Sequence, residues 1–225
     1  MVQREHGVRE YSGGVRGCPE SDPRMSHVLM RTRGGTVCQP DPATIMLDRA
    51  DGGQLVVYPP RRVWDRTALS RGELVDWNLL VAATARAMLD ALPQLAGGCI
   101  NYWDAGNWAL NGAAAPEGPK IAPLHRVLHL HLCGRSPRST DRDWAWGESP
   151  YFPPFANRFA WSHGKQPLTA AECAAIVART GEVLRASYGE ADALGLDSRV
   201  CDGCGYPAPA ADVDGARCPS CRTAS

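Results

Sequence analysis

The sequence predicts an α+β fold, an antiparallel sheet with two main helices, followed by a small C-terminal four-cysteine zinc ribbon. Three observations predict it: β-rich runs bounded by turns, two long helical segments that begin at capping signals, and two cysteine pairs near the C-terminus. A length of 225 residues suits one core with a small appendage. We expect a loosely ordered segment over residues 1–40, a main domain over 41–190 and the ribbon over 199–225.

Charge and cysteine usage indicate a cytoplasmic protein with no general attraction to polyanions or membranes. Lys+Arg and Asp+Glu are equal at 24 each, so any anion site must be local. No apolar run reaches the roughly 18–20 residues that cross a bilayer. The N-terminal MVQREHGVREYSGG lacks the hydrophobic segment of a secretory signal. The cysteines number nine, an odd total of which five are scattered, as is typical of a reducing compartment.

The first strands are predicted around an Asp-Gly-Gly turn. Residues 44–48 (TIMLD) and 54–58 (QLVVY) are β-rich runs on either side of residues 51–53, a pattern typical of a hairpin. A further strand is predicted near residues 27–31, and another at 99–103 (CINYW).

Two helices are predicted over residues 71–92 and 169–188. Apolar residues recur there at helical spacing, and Pro93 and Gly189 mark the two ends. Each helix begins at a capping box, in which two side chains satisfy free backbone N–H groups of the first turn. The boxes are Ser70 with Glu73 and Thr169 with Glu172.

The most informative run is the predicted strand over residues 125–133. Side chains alternate between the two faces of a strand, so the leucines and the histidines separate. By spacing alone, the histidine face is either a functional surface, a polar face satisfied by its neighbours, or part of a metal site. The leucines, expected to face the core, are Leu128, Leu130 and Leu132; the opposite face carries His125, Val127, His129, His131 and Cys133.

The cysteine pairs predict a structural Zn²⁺ site. Each CxxC turn presents two thiolates to one ion, and two such turns complete a tetrahedron. Thirteen residues separate the pairs and suit a short hairpin. A segment of about 25 residues is too short for a hydrophobic core, so metal binding would supply its folding energy. Two redox CxxC motifs are the alternative. The expected ligands are Cys201, Cys204, Cys218 and Cys221.

The histidine strand and its surroundings resemble the histidine triad (HIT) superfamily. The run from Val127 to Arg135, VLHLHLCGR, is similar to a signature strand in which three histidines alternate with apolar residues, often followed by Gly and Arg. The order of hairpin, basic residues, helix, strand and histidine strand also agrees, over roughly residues 44–135. Three features depart from the pattern: Val127 replaces the first histidine, Arg62 stands where many members have another histidine, and the stretch over 108–123 is longer than usual.

The resemblance implies a nucleotidyl hydrolase or transferase acting on a nucleotide or dinucleotide. The middle histidine of the family, here His129, attacks the α-phosphorus and forms a covalent nucleotidyl-histidine intermediate. Neutral imidazole suits this role near pH 7. His131 and Arg135, on the same face, are expected to hold phosphate oxygens. A loop carbonyl near Asn107 is expected to accept a hydrogen bond from His129 Nδ1.

Six further residues are candidates for substrate contact, each with a structural alternative. Asp48 is expected at the ribose hydroxyls or at a turn, and Asn101 and Asn107 at phosphate or in turns. His125 either substitutes for the missing histidine or caps the strand. Trp144 and Trp146 either close over the substrate or pack a loop onto the sheet.

Other functions remain open at this stage. The expected nucleotide site either catalyses a reaction or senses a nucleotide without turnover. The ribbon either docks on nucleic acid, docks on a protein, or only holds the chain together. A second metal at His125, His129 and His131 is a third reading. Many members of the family are homodimers, and the resemblance extends that expectation to this chain.

Overall fold

Five antiparallel strands form one sheet in the order β1-β2-β3-β5-β4. The computed structural model describes residues 25–104, 106–189, 198–213, 217–218 and 221. The strands are β1 (Met25–Thr32), β2 (Gly35–Pro40), β3 (Gln54–Tyr58), β4 (Cys99–Asp104) and β5 (Leu130–Arg135). The predicted α+β class with an antiparallel sheet is confirmed.

Two long helices cover one face of this sheet. They are α1 (Arg71–Ala91) and α4 (Ala170–Tyr188), and each begins at the capping box that the sequence predicts. Two short helices, α2 (Ala122–His125) and α3 (Arg158–Ser162), lie between them in the chain. Among the residues that the structure describes, no helix has the length and apolar character needed to cross a membrane.

The core lies between the sheet and α1 and α4. The predicted leucine face is confirmed, since all three leucines of the histidine run are buried against these helices. The opposite face of the sheet therefore carries the histidines. Buried core side chains include Leu55, Val57, Leu128, Leu130 and Leu132 from the sheet side, Trp77, Leu80 and Met88 from α1, and Ile176, Val177 and Leu184 from α4.

The predicted hairpin of residues 44–48 with 54–58 is wrong in its first half. Residues 44–48 form no strand, because β2 and β5 occupy both sides of β3. The Met46 N–H is satisfied instead by the Gln54 side chain, at 2.8 Å from Oε1. The prediction of a loosely ordered segment over 1–40 is also wrong for residues 25–40, which form the β1–β2 hairpin; residues 1–24 lie outside the described residues.

The histidine strand is shorter than predicted. Residues 122–125 form helix α2, in which Pro123 occupies a first-turn position where its missing N–H is not needed. The chain is then extended from residue 126, and Leu128 N donates to Val63 O at 2.8 Å before β5 begins at Leu130. His125 is therefore not part of the histidine face.

The C-terminal cysteine segment folds as a two-stranded ribbon of β6 (Ser198–Val200) and β7 (Pro207–Pro209). It packs against the main domain beside the edge strand β1 and the start of α4. The Tyr206 ring stacks on His27 of β1 at 4.1 Å between centroids, and its hydroxyl donates to Leu168 O at 2.8 Å. The ribbon therefore packs directly against the main domain.

Candidate functional site

The candidate site lies on the sheet face opposite α1 and α4. Strand β5 runs between β3 and β4, so His131 lies directly across from Val56 on one side and Trp103 on the other. His129 precedes β5 by one residue. The two imidazole rings meet edge to face, with centroids 4.8 Å apart and planes at 74°. The sequence-predicted pairing of His129 and His131 therefore exists in the fold.

His129 is held by its own backbone. Its Nδ1 lies 2.8 Å from the carbonyl oxygen of Val127, and a carbonyl can only accept a hydrogen bond. Nδ1 therefore carries the proton, and Nε2 carries the lone pair. The ring also stacks on the buried Tyr58 at 5.4 Å between centroids. The acceptor near Asn107 that the sequence suggested is thus replaced by a carbonyl two residues before the histidine.

His131 is held by a side chain that the sequence did not single out. Its Nδ1 lies 2.7 Å from Gln54 Nε2. The orientation of the Gln54 amide is fixed, because its Oε1 accepts from Met46 N at 2.8 Å and so its NH₂ faces the histidine. Nδ1 of His131 accepts this hydrogen bond, and the proton of the neutral ring lies on Nε2.

The two histidines consequently present opposite chemistry from neighbouring rings. His129 Nε2 offers a lone pair, which suits a nucleophile or a general base. His131 Nε2 offers an N–H, which suits a donor to an anionic oxygen. The two nitrogens belong to adjacent positions of one face, on rings whose centroids are 4.8 Å apart.

Arg135 does not join this pair. Its guanidinium donates to the carbonyl oxygens of Ala145 at 2.5 Å and Glu148 at 3.1 Å, and it lies over the Trp144 ring. The side chain is buried. The prediction that Arg135 holds phosphate is therefore wrong: the segment after β5 folds back over that end of the face and takes the guanidinium.

Asp48 and His125 have structural roles. The Asp48 carboxylate caps the following turn, accepting from Ala50 N at 2.8 Å and from Gln166 N at 2.6 Å. The turn alternative, rather than the ribose contact, fits these bonds. His125 ends α2, and its Nδ1 lies 3.0 Å from Ile121 O. It does not substitute for the missing histidine.

The two asparagines differ in position. Asn101 lies on β4 opposite Cys133, one pair further along the histidine face than Trp103 and His131. It is half-buried and remains near the site. Asn107 is exposed at the start of a 3-10 turn, Asn107–Leu110, beyond the end of β4.

The face is closed at one end by an aromatic cluster, defined as Trp103, Trp144, Phe152 and Trp161. Trp144 is buried and donates from Nε1 to Met46 O at 3.0 Å, so it packs a loop onto the sheet. Phe152 stacks on Trp103, with centroids 3.9 Å apart. Trp146, in contrast, is exposed.

The four predicted metal ligands come together in the ribbon. The sulfur atoms of Cys201, Cys204, Cys218 and Cys221 all lie within 4.8 Å of one another, which is compatible with a metal site. Burial alone would raise the pKa of the Cys201 thiol. Hydrogen bonds from the backbone N–H groups of Cys218, Cys204 and Gly203 outweigh burial and lower this pKa to about 6, which favours the thiolate.

Residues near the tight turns leave room for these sulfurs. A Cβ on Gly203 would lie 3.0 Å from Cys221 Sγ, and Gly205 has a φ of +72°. Among the described residues, no other group of three or more histidine, cysteine or carboxylate side chains could hold an ion. The reading with a second metal at His125, His129 and His131 is therefore not supported.

Sequence reasoning missed Gln54 and Trp103. Gln54 begins an otherwise apolar strand, and this polar residue is the local feature of the sequence that could have indicated a buried hydrogen bond. The pairing of both residues with His131 depends on strand register, which the sequence does not state. No protein-family model, curated protein or solved structure matches the chain.

Proposed function

We propose that the chain is a HIT-like nucleotide-phosphate hydrolase or nucleotidyltransferase that acts through a covalent intermediate on His129. One observation carries the proposal: two adjacent imidazoles are held in opposite tautomers, His129 with its lone pair on Nε2 and His131 with a proton on Nε2. A nucleophile beside a hydrogen-bond donor is the arrangement that displacement at phosphorus requires.

In the first step, the lone pair of His129 Nε2 forms a bond to the α-phosphorus. The phosphoanhydride or phosphoramidate bond breaks, and its electron pair leaves with the leaving group. His131 Nε2–H donates to a non-bridging oxygen, where negative charge collects. Hydrogen bonding of Nδ1 to Val127 O stabilises the positive charge that the His129 ring acquires.

In the second step, an acceptor oxygen attacks phosphorus and the N–P bond breaks, which returns the electron pair to His129 Nε2. With water as acceptor, the products are a nucleoside monophosphate and a proton. Splitting one displacement into two lowers each barrier, because imidazole is both a better nucleophile than water and a good leaving group.

The valine at position 127 is compatible with this chemistry. The group that His129 requires from this position is the main-chain carbonyl, at 2.8 Å from Nδ1, and every residue type supplies it. The Val127 side chain instead packs with Cys38, Val56 and Tyr58. Loss of the first histidine of the motif therefore leaves the orientation of the nucleophile intact.

A substrate panel tests the proposal. Dinucleoside polyphosphates, nucleotide sugars and adenosine phosphoramidate are incubated with the wild type, with His129→Ala and with the control His163→Ala. His163 is exposed and immediately follows α3. We expect turnover in the wild type and the control, loss of nearly all turnover in His129→Ala, and a nucleotidyl adduct by mass spectrometry after a rapid quench. Turnover that survives in His129→Ala would contradict the proposed nucleophile.

One observation favours a second candidate, a nucleotide sensor without turnover. The His129 side chain is only 5% exposed, whereas His131 is half-buried. A ligand phosphate that reaches His131 alone would be bound but not attacked. Tight binding of a nucleotide with no turnover and no adduct over the same panel would establish this function instead.

For the ribbon, we propose Zn²⁺ as the bound metal. A tetrahedron with Zn–S bonds of about 2.3 Å places its sulfurs about 3.8 Å apart, and Cys204 Sγ and Cys218 Sγ lie 3.8 Å apart. Four thiolates favour this soft-ligand ion over Mg²⁺ or Ca²⁺. Elemental analysis of the purified chain should find one zinc per chain; a chain that carries iron instead would refute the assignment.

A further inference from the structure

Trp103 is an exposed aromatic residue directly beside the histidine pair. In an antiparallel sheet, directly opposed residues point to the same face with Cβ atoms about 4.5–5.5 Å apart, and Trp103 is opposed to His131. Its side chain nevertheless remains 40% exposed. A large ring thus borders the site and keeps part of its surface open to solvent.

One face of the Trp103 ring packs against other aromatic side chains. Phe152 stacks on it with centroids 3.9 Å apart and planes at 25°. Phe152 in turn meets the buried Trp144 edge to face at 5.6 Å and Trp161 at 5.9 Å. One face of Trp103 is therefore covered by a fixed aromatic stack, which sets the direction in which the rest of the ring points.

The aromatic residue on the other side of the histidine pair has no such surface. Tyr58 is only 3% exposed, and its ring is stacked against His129. Of these two aromatic neighbours, Trp103 alone has surface to offer to a ligand. A planar group attached to a phosphate at the histidines would reach it across a single cross-strand step.

We propose that Trp103 is the nucleobase platform of the site, on which the base of the bound nucleotide stacks while its phosphate meets His129 and His131. The inference rests on the proposed function for the presence of a phosphate at the histidines. Aromatic stacking accepts every base, because each base has a π-face. The site should therefore distinguish nucleotides from sugar phosphates more strongly than one base from another.

Calorimetric titration of the full chain with AMP, GMP and ribose 5-phosphate tests the platform without any need for turnover. The variants are Trp103→Ala, Trp103→Leu, which keeps apolar contact with Phe152 but has no aromatic face, and Trp103→Phe. The matched control is Tyr188→Ala, since Tyr188 is an aromatic residue that is 37% exposed and lies at the end of α4, on the opposite face of the sheet.

We expect wild type and Tyr188→Ala to bind both nucleotides more tightly than ribose 5-phosphate. Trp103→Ala and Trp103→Leu should weaken nucleotide binding by about 5- to 150-fold, the range that loss of one base–aromatic stack gives. Their affinity for ribose 5-phosphate should not change, and Trp103→Phe should retain most nucleotide affinity.

Equal weakening of all three ligands in the Trp103 variants would overturn the platform. Equal affinity of the wild type for nucleotides and ribose 5-phosphate would do the same, as would full nucleotide affinity in Trp103→Leu. The two proposals fail separately. Stacking on Trp103 without turnover or adduct refutes only the catalytic function, whereas His129-dependent turnover with an unchanged nucleotide Kd in Trp103→Leu refutes only the platform.

Discussion

Replacing Gln54 by Glu should convert His131 from a pH-independent donor into a pH-dependent one. The wild-type amide is fully buried, accepts from Met46 N through Oε1 and donates to His131 Nδ1 at 2.7 Å. In Gln54→Glu, one carboxylate oxygen still accepts from Met46, but the other now faces Nδ1 and can only accept. His131 must then carry its proton on Nδ1, so the neutral ring no longer has an N–H at Nε2.

The expected magnitude follows from the loss of that one donor. Removing a single hydrogen bond to the developing negative charge typically lowers kcat by about 10²–10³, or roughly 3–4 kcal/mol. We expect this loss at alkaline pH, where His131 of the variant is neutral. At acidic pH the carboxylate favours the doubly protonated imidazolium, which restores N–H at Nε2. The ratio of the variant's kcat to the wild-type kcat should therefore rise as the pH falls, because both proteins need an unprotonated His129 Nε2 but only the variant regains a donor on His131.

The assay is kcat against pH for wild type and Gln54→Glu on whichever substrate the panel identifies. Gln54→Leu is the companion variant. It orphans the Met46 N–H, so it should lower the free energy of unfolding by about 1–3 kcal/mol, without the acid rescue. NMR of ¹⁵N-labelled histidine reads the tautomers directly and requires no substrate. A wild-type His131 protonated at Nδ1, or superimposable pH profiles for wild type and Gln54→Glu, would refute the role of Gln54.

Three further predictions concern the ribbon and its contact with the main domain. Cys204→Ser should lose its metal, as measured by elemental analysis, and should also melt at a lower temperature, because the ribbon packs on β1 and α4; full zinc content would contradict the ligand assignment. Tyr206→Phe removes the hydrogen bond to Leu168 O and should cost about 0.5–1.5 kcal/mol in chemical denaturation with zinc content unchanged; a loss of zinc would show that the hydroxyl supports the metal site itself. Burial lowers the pKa of His27, so its contribution to stability is complete above the unfolded-state pKa of about 6.5 and is lost as the pH falls through the lower native pKa. The free energy of unfolding should depend less steeply on pH in His27→Phe than in the wild type, and equal slopes would count against this contribution.

Local patterns in the sequence were sufficient for the helices and for the core face of β5. Capping boxes involve residues three apart, and alternation along a strand involves neighbours, so both can be read without knowledge of the tertiary fold. The short loop from Asp48 to Gly53 was misread because an Asp-Gly-Gly turn also suits other geometries. Residues 44–48 cannot pair with β3 because β2 and β5 occupy both of its edges.

The errors at the site have the same origin. Arg135 does follow His131 and Cys133 along the strand, but the segment after β5 folds back, and the carbonyl oxygens of Ala145 and Glu148 accept hydrogen bonds from its guanidinium. Gln54 is separated from His131 by 77 positions in the chain. Alternation assigns a residue to a face, whereas only the register between strands decides which residues on that face touch.

The two imidazoles therefore depend on the sequence in different ways. The tautomer of His129 is set by a main-chain carbonyl two residues away, which any residue at position 127 supplies as long as the chain there stays extended. The tautomer of His131 is set by one buried amide, whose own orientation depends on the N–H of Met46. The number of histidines in the strand is then a weaker guide to function than the groups that fix their protons. A chain of this design can have valine in place of the first histidine and keep the His129 ring oriented, but it cannot exchange Gln54 for an acceptor without changing which nitrogen of His131 donates.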